Sequence, residues 1–290
     1  MNRNTFIVHF MVIMEPIPID VRQKFEPLHS AFLSLIKNLD AKDWKKKTSA
    51  GKWTVADVTS HLLDGDLRVL SIQRDGYYGD KPPERSDFKT VVTWLNKLNH
   101  DWVKASKRLS PDVLILLIEL TGPIVTKYFK SLDPMGEAVF PVSWAGESKS
   151  FNWMHVAREY TERWHHQQQI REATGQVGIM TKELFYPVID TFMRALPVTF
   201  KGIEAINGTK IQVLIEGSAG GEWHLKKGTS GWVLVQDEQP PFDATVTIPQ
   251  DISWKLFCKN VRPPEVMGLI AMNGDKDLAL RVLEMVSVMA

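Results

Sequence analysis

The hydrophobic pattern of this chain changes its period close to residue 177, and that change constrains the fold most. Before it, apolar residues such as Phe25, Leu28 and Phe32 recur every three or four positions, as in amphipathic helices. After it, short β-branched and aromatic runs alternate with glycine-containing turns. The sequence therefore predicts a two-domain α+β protein, with a helical domain at residues 14–177 and a small α+β domain at residues 178–290, each with its own core.

Local signals mark several helix boundaries in the first domain. Thr54 and Asp57 form a capping-box pattern that predicts the start of a helix. Ser110-Pro111 predicts another start, and Gly122-Pro123 is a candidate break within the helix that follows. A last helix is expected at about residues 152–174, with Gly175 just beyond its end.

Four short strands are predicted in the second domain, and their spacing favours an antiparallel meander. Two helices, at about residues 250–258 and 275–289, are expected to close the chain. The predicted strands are Lys210–Glu216, Glu222–Lys227, Gly231–Gln236 and Asp243–Ile248.

Composition excludes several classes of function. Lys and Arg number 35 against 34 Asp and Glu, a net charge of +1, so no basic surplus favours nucleic acid or an anionic membrane. Cys258 is the single cysteine, which excludes an intramolecular disulfide and indicates a reducing, cytoplasmic setting. Its apolar surroundings favour a buried structural thiol. The sequence contains neither a glycine-rich phosphate loop nor a Gly-x-Ser-x-Gly elbow.

The N-terminal residues 6–13 are apolar but too short to cross a bilayer, and no small-residue cleavage site follows them. We interpret them as a leader upstream of the true start, with Met14 as the initiator. No other stretch of the sequence is long and apolar enough to span a membrane.

Glu162 and His166 are four residues apart, so on a helix their side chains lie one turn apart on the same face. A carboxylate and an imidazole suit Zn²⁺, Ni²⁺ or Fe²⁺ better than Mg²⁺. His61 is the best candidate for a third ligand, because it lies in the middle of a predicted amphipathic helix. Two histidines and one glutamate leave coordination positions open, as in catalytic metal sites.

A solvent-exposed helix face has the same spacing, and other residues compete for the ligand roles. His155 and Glu159 lie on the same face as Glu162, and His165 competes with His166. The opposite side of this helix is aromatic. We interpret that side as packing on other helices or on the second domain, with the motif side lining a cleft. The aromatic side comprises Trp153, Ala157, Tyr160 and Trp164.

Three stretches resemble the mycothiol-dependent maleylpyruvate isomerase family, part of the DinB-like metal-binding superfamily. They are Trp53-Thr54-Val55-x-Asp57-Val58-x-x-His61-Leu62, Glu162-x-Trp164-x-His166-x-Gln168-x-Ile170 and, in the tail, Glu222-Trp223-His224-Leu225. The resemblance implies a DinB-like four-helix bundle followed by a sterol-carrier-protein-like domain. It also implies a divalent metal, usually zinc, held by His61, Glu162 and His166, and a low-molecular-weight thiol as cosubstrate. Where the family commonly has Asp, this chain has Gln169, which removes a negative charge near the site.

Three functions remain open from the sequence. The first is a thiol-dependent isomerase or S-transferase, because a metal-coordinated thiol is deprotonated at neutral pH and can add to an activated double bond or displace a leaving group. The second is a hydrolase that uses metal-bound water. The third is a ligand-binding or stress-response protein whose metal is structural. The expected partners of the first are a small thiol and a small acidic substrate.

Arg262 is the predicted catalytic cation. A thiolate and a carboxylate substrate are both negative, so a cation is needed to bring them together. Arg262 follows an apolar helix and precedes Pro263-Pro264, which fix an extended backbone. Its planar guanidinium pairs bidentately with a carboxylate.

Overall fold

The computed structural model describes residues 18–81, 83 and 88–288. The predicted start at Met14 and the apolar run before it lie outside these residues. The helices up to residue 177 are α1 (Phe25–Lys37), α2 (Val55–Arg68), α3 (Phe88–Ser106), α4 (Pro111–Ser131) and α5 (Asn152–Thr174). Then follow α6 (Lys182–Met193), α7 (Leu196–Thr199), β1 (Lys210–Glu216), β2 (Gly221–Gly228), β3 (Gly231–Val235), β4 (Ala244–Pro249), α8 (Gln250–Phe257), α9 (Pro263–Val266), β5 (Ala271–Gly274) and α10 (Lys276–Val282).

The helix starts follow the predicted caps. Thr54 and Asp57 form the capping box of α2, with the Asp57 amide donating to Thr54 Oγ1 at 3.3 Å. Gly122-Pro123 does not break α4, which continues to Ser131. Gly122 is required there for another reason, because a Cβ at this position would lie 1.9 Å from Cε1 of His29. The side chain of His29, on α1, packs directly against the backbone of Gly122.

One mixed sheet forms within the described residues, in the order β3-β2-β1-β4-β5. β1 pairs antiparallel with β2 but parallel with β4, so the predicted antiparallel meander is wrong at this pair. The reason is the loop at residues 236–243, which crosses the sheet instead of turning back as a hairpin. Phe242 in this loop stacks on His224 of β2 at 5.0 Å. β5 was not predicted, and α10 is shorter than expected. The α+β fold class is confirmed.

The largest hydrophobic cluster includes buried side chains from both sides of residue 177. Trp164 of α5 lies 5.0 Å from Phe185 of α6 and 5.8 Å from Trp254 of α8, between ring centroids. The aromatic side of α5 therefore packs on the second part of the chain, and the expectation of two independent cores is wrong. The domain boundary near residue 177 stays a prediction. None of the helices in the described part has both the length and the apolar character needed to cross a bilayer.

Candidate metal centre

His61, Glu162 and His166 meet where α2 packs against α5. Their ligand atoms all lie within 4.8 Å of one another. Nε2 of His61 is 3.0 Å from Glu162 Oε1, and Nε2 of His166 is 3.1 Å from the same oxygen. The two imidazole rings stand nearly perpendicular, with centroids 4.8 Å apart. The structure thus brings together the three residues that the sequence proposed as ligands.

The cluster is buried on its histidine side and open on its carboxylate side. His61 and His166 are buried, whereas 45% of the Glu162 side chain is exposed. Trp53, immediately before the α2 cap, lies 5.0 Å from the His61 ring and shields it. Because only the carboxylate side faces solvent, a small molecule can approach the three ligand atoms from one direction.

Gln169 determines which ring nitrogen of His166 carries a proton in the neutral imidazole. Its Oε1 lies 2.8 Å from Nδ1 of His166 and accepts a hydrogen bond from it, so Nδ1 carries a proton. In a neutral imidazole the other nitrogen, Nε2, then presents its lone pair to Glu162. Two electron-rich atoms in contact repel each other unless His166 is protonated or a cation lies between them. The pattern of hydrogen bonds therefore prepares Nε2 as a ligand atom.

The pKa values of the cluster reflect burial and mutual contact. Burial lowers the pKa of His61. In His166 burial acts in the same sense, but the Glu162 charge and the hydrogen bonds outweigh it and raise the pKa. Burial raises the pKa of Glu162, and the charges and hydrogen bonds of both histidines prevail and hold it well below its ordinary value. Glu162 is thus a carboxylate at neutral pH.

The donor set fits a divalent transition metal. Two imidazole nitrogens and one carboxylate oxygen are the usual ligands of catalytic zinc. Nδ1 of His61 is buried without a hydrogen-bond partner within the described chain. His61 therefore gains its interactions through Nε2, the atom that faces the cluster.

The competing residues have other partners. His165 accepts a hydrogen bond at Nε2 from Gln169 at 3.0 Å, and burial together with the charge of His166 lowers its pKa to about 3. His155 contacts Gln73 and Arg158, and Glu159 pairs with Arg158 and Arg163. Neither joins the three-residue cluster, which alone among the described residues has metal-site geometry.

Helix α8 of the second part lies beside the cluster, which the sequence analysis missed. Trp254 lies 5.8 Å from the His165 ring, and Lys255 forms a 2.6 Å ion pair with Glu172 of α5. Burial and the Glu162 charge raise the pKa of Cys258 well above its ordinary value. The prediction that this thiol is buried is confirmed. The only sequence signal for the contact is the apolar character of α8.

Within the described residues, Arg262 forms no hydrogen bond or ion pair with the three-residue cluster. Its side chain is 82% exposed and its guanidinium pairs with Glu265 at 3.2 Å. Its main-chain N–H donates to the same carboxylate at the start of α9. The predicted role of Arg262 toward substrate stays a prediction, and the contacts of Arg262 in the structure are those of a helix cap.

Comparisons with known proteins identify the family and the fold of this chain. Residues 25–171, half of the chain, match the family model of the mycothiol maleylpyruvate isomerase N-terminal domain. No curated protein sequence matches. Crystal structures of the mycothiol-dependent maleylpyruvate isomerase and of a mutant of it share the fold. They are 12% and 11% identical, with TM-scores of 0.53 and 0.52, and each alignment covers 84% of this chain and 90% of the other.

The match spans both helices that supply the cluster, and the fold extends over the second part of the chain. It confirms the resemblance inferred from the motifs around His61 and His166. The chain belongs to the mycothiol maleylpyruvate isomerase family, a family of isomerase-like enzymes.

Proposed function

We propose that this protein is a divalent-metal-dependent enzyme that uses a low-molecular-weight thiol to isomerise, or to transfer the thiol to, a small acidic electrophile. Mycothiol and maleylpyruvate, named in the related proteins, are the first compounds to test. The observation that carries the proposal is the convergence of two imidazole nitrogens on one oxygen of Glu162 at 3.0 and 3.1 Å. Zn²⁺ is the expected ion, with Ni²⁺ and Fe²⁺ as alternatives.

Each residue of the cluster has a distinct task. His61, Glu162 and His166 would hold the ion, which supplies the Lewis acidity that keeps a bound thiol deprotonated. Glu162 is the single anionic ligand, so the set leaves part of the ion's charge uncompensated and available to an anionic sulfur. Gln169 is neutral and does not reduce that charge. The exposed edge of Glu162 marks the side from which thiol and substrate enter.

Replacement of Glu162 tests the proposal. Glu162→Gln keeps the shape of the side chain but removes its charge, and we expect the loss of stoichiometric metal and of thiol-dependent turnover. Metal content is measured on the purified full chain, and turnover with and without added mycothiol. Glu172→Gln, on the same helix but outside the cluster, is the matched control and should retain both.

Two results would count against the proposal. Full metal occupancy in Glu162→Gln would show that the ligands are elsewhere. A rate on maleylpyruvate or a related electrophile that does not depend on added thiol would indicate chemistry by metal-bound water instead.

A further inference from the structure

Helix α4 presents an apolar stripe to solvent. Val113, Leu116, Leu120 and Ile124 are exposed to 38, 53, 58 and 44%. At 100° per residue these four positions fall within a narrow arc of the helix surface. The opposite face of α4 is buried against α1 and α2 through Leu114, Ile118, Val125 and Phe129. The helix is therefore apolar on both sides, which is unusual for a helix at the surface of a monomer.

One charged residue lies just beyond each end of this stripe. Asp112 precedes it in the first turn, and Lys127 follows it in the last turns. Both are exposed, and within the described chain neither forms an ion pair. Glu119, at the edge of the stripe, is already paired with Lys37. The stripe thus has one acidic end and one basic end, with no charge along its centre.

This arrangement is complementary to itself. In an antiparallel pair of α4 helices related by a twofold axis, the acidic end of one copy faces the basic end of the other. Asp112 and Lys127 are 15 residues apart, about 22 Å along the helix, and Leu120 lies close to their midpoint. The register that pairs Asp112 with Lys127 of a second copy therefore also places Leu120 against Leu120, and Leu116 against Ile124. On the helix surface Asp112 lies about 40° outside Leu116 and Lys127 lies about 20° inside it, so both are on the Leu116 side of the midline of the stripe, and the twofold operation preserves that side.

We infer that α4 forms a homodimer interface, in which two copies of this chain pack antiparallel through Val113, Leu116, Leu120 and Ile124. Apolar side chains at helical spacing bury one another, and the terminal charges fix the orientation. A second copy of this chain is the partner that fits this surface, because the apolar stripe and the two terminal charges specify the same register. The surface lies on a different helix from the three-residue cluster, so the inference does not depend on the proposed function.

Sedimentation of the full chain between roughly 1 µM and 1 mM tests the dimer, since a weak association dissociates within that range. We expect a concentration-dependent dimer. Leu120→Lys places two lysines together at the twofold axis and should raise the dimer Kd at least about 100-fold. Leu269→Lys is the matched control, because Leu269 is also 58% exposed but lies on another surface. A monomer at every concentration would overturn the inference.

A charge exchange tests the register. Asp112→Lys and Lys127→Asp each set like charges against each other twice per dimer, and should raise the dimer Kd about 3- to 10-fold. The double variant Asp112→Lys/Lys127→Asp restores opposite charges and should return the Kd toward that of the unmodified chain. If the double variant weakens the dimer by the sum of the two single-variant effects, or if Leu120→Lys leaves the dimer intact, the antiparallel α4 interface is wrong.

Discussion

Two polar clusters lie one turn apart on α5, and each includes a residue of α2, yet their charge balance differs. In the first, Glu162 faces His61 and His166 and no arginine or lysine side chain binds it within the described residues. In the second, Arg163 pairs with Asp66 at 2.9 Å and with Glu159 at 2.9 Å. We call this second group the arginine network. A buried polar cluster that contains its own counter-ions is complete, whereas one that lacks them is suited to receive a cation.

The two neighbouring carboxylates are kept ionised by different partners. Burial raises the pKa of Glu159, but the charges of Arg158, Arg163 and His155 outweigh it and lower the pKa to about 2. Glu159 is therefore fixed as an anion by protein cations, and it has no unsatisfied charge to offer a metal. Glu162 is held as an anion by two imidazoles. A metal ion can take the place of the imidazole proton that contacts Glu162. Sequence spacing alone treats the two glutamates alike.

The largest expected effect is on the arginine network. Arg163→Met leaves Asp66 and Glu159 without their shared counter-ion, and should lower the free energy of unfolding by about 3–5 kcal/mol, measured by denaturant titration. The folded fraction should still bind metal, because Arg163 holds no place in the metal cluster. Lys130→Met, which breaks an exposed pair with Glu26, should cost less than about 1 kcal/mol. An Arg163→Met effect as small as that of Lys130→Met would remove the distinction between the clusters.

The next effect is on the pH dependence of stability. Burial, and then the charge of Arg158, lower the pKa of His155 to about 3, against about 6.5 in the unfolded chain. Between these values the unfolded chain binds more protons, so the free energy of unfolding falls as the pH is lowered. From pH 6.5 to 4.5 this one histidine should account for roughly 2–3 kcal/mol.

The variant His155→Gln isolates this contribution. Its stability should depend less steeply on pH over the same interval, and His100→Gln, at an exposed position, is the matched control. Denaturant titrations at several pH values give the slopes. Equal slopes in His155→Gln and the unmodified chain would show that His155 titrates normally in the folded protein.

A smaller effect is expected next to the metal cluster. Gln169→Leu removes the acceptor that holds the Nδ1 proton of His166, and residues that orient a ligand in this way typically contribute 10- to 100-fold to metal affinity. We expect a loss of that size in the Kd for Zn²⁺, measured by chelator competition. Gln168→Leu is the control, because Gln168 is the adjacent residue and takes no part in this hydrogen bond. An unchanged Kd in Gln169→Leu would mean that His166 is oriented by packing alone.

Local chemistry made the helix starts and the i, i+4 pairing of Glu162 with His166 predictable from sequence. The capping box at Thr54 and the spacing of Glu162 and His166 depend only on neighbours along the chain. The position of His61 in the middle of a predicted amphipathic helix made it the best candidate for a third ligand, and the family resemblance supported that choice. The charge balance of Glu159 was not predictable, since Asp66 reaches Arg163 from another helix. Likewise, the parallel pairing of β1 with β4 depends on the path of the loop at residues 236–243, and its prolines resemble those of a simple turn.

The smallest effect is expected at Arg262. The sequence-based hypothesis assigns it to an acidic substrate, and then Arg262→Ala would raise KM at least several-fold without changing metal content. The structure instead shows an exposed pair with Glu265, and such pairs contribute about 0–1 kcal/mol. We therefore expect unchanged metal binding, a KM within about twofold of the unmodified enzyme, and a stability loss below about 1 kcal/mol. Steady-state kinetics with a carboxylate substrate and with its ester separate the two expectations. A KM increase confined to the carboxylate would assign Arg262 to substrate binding and extend the metal cluster into the second part of the chain.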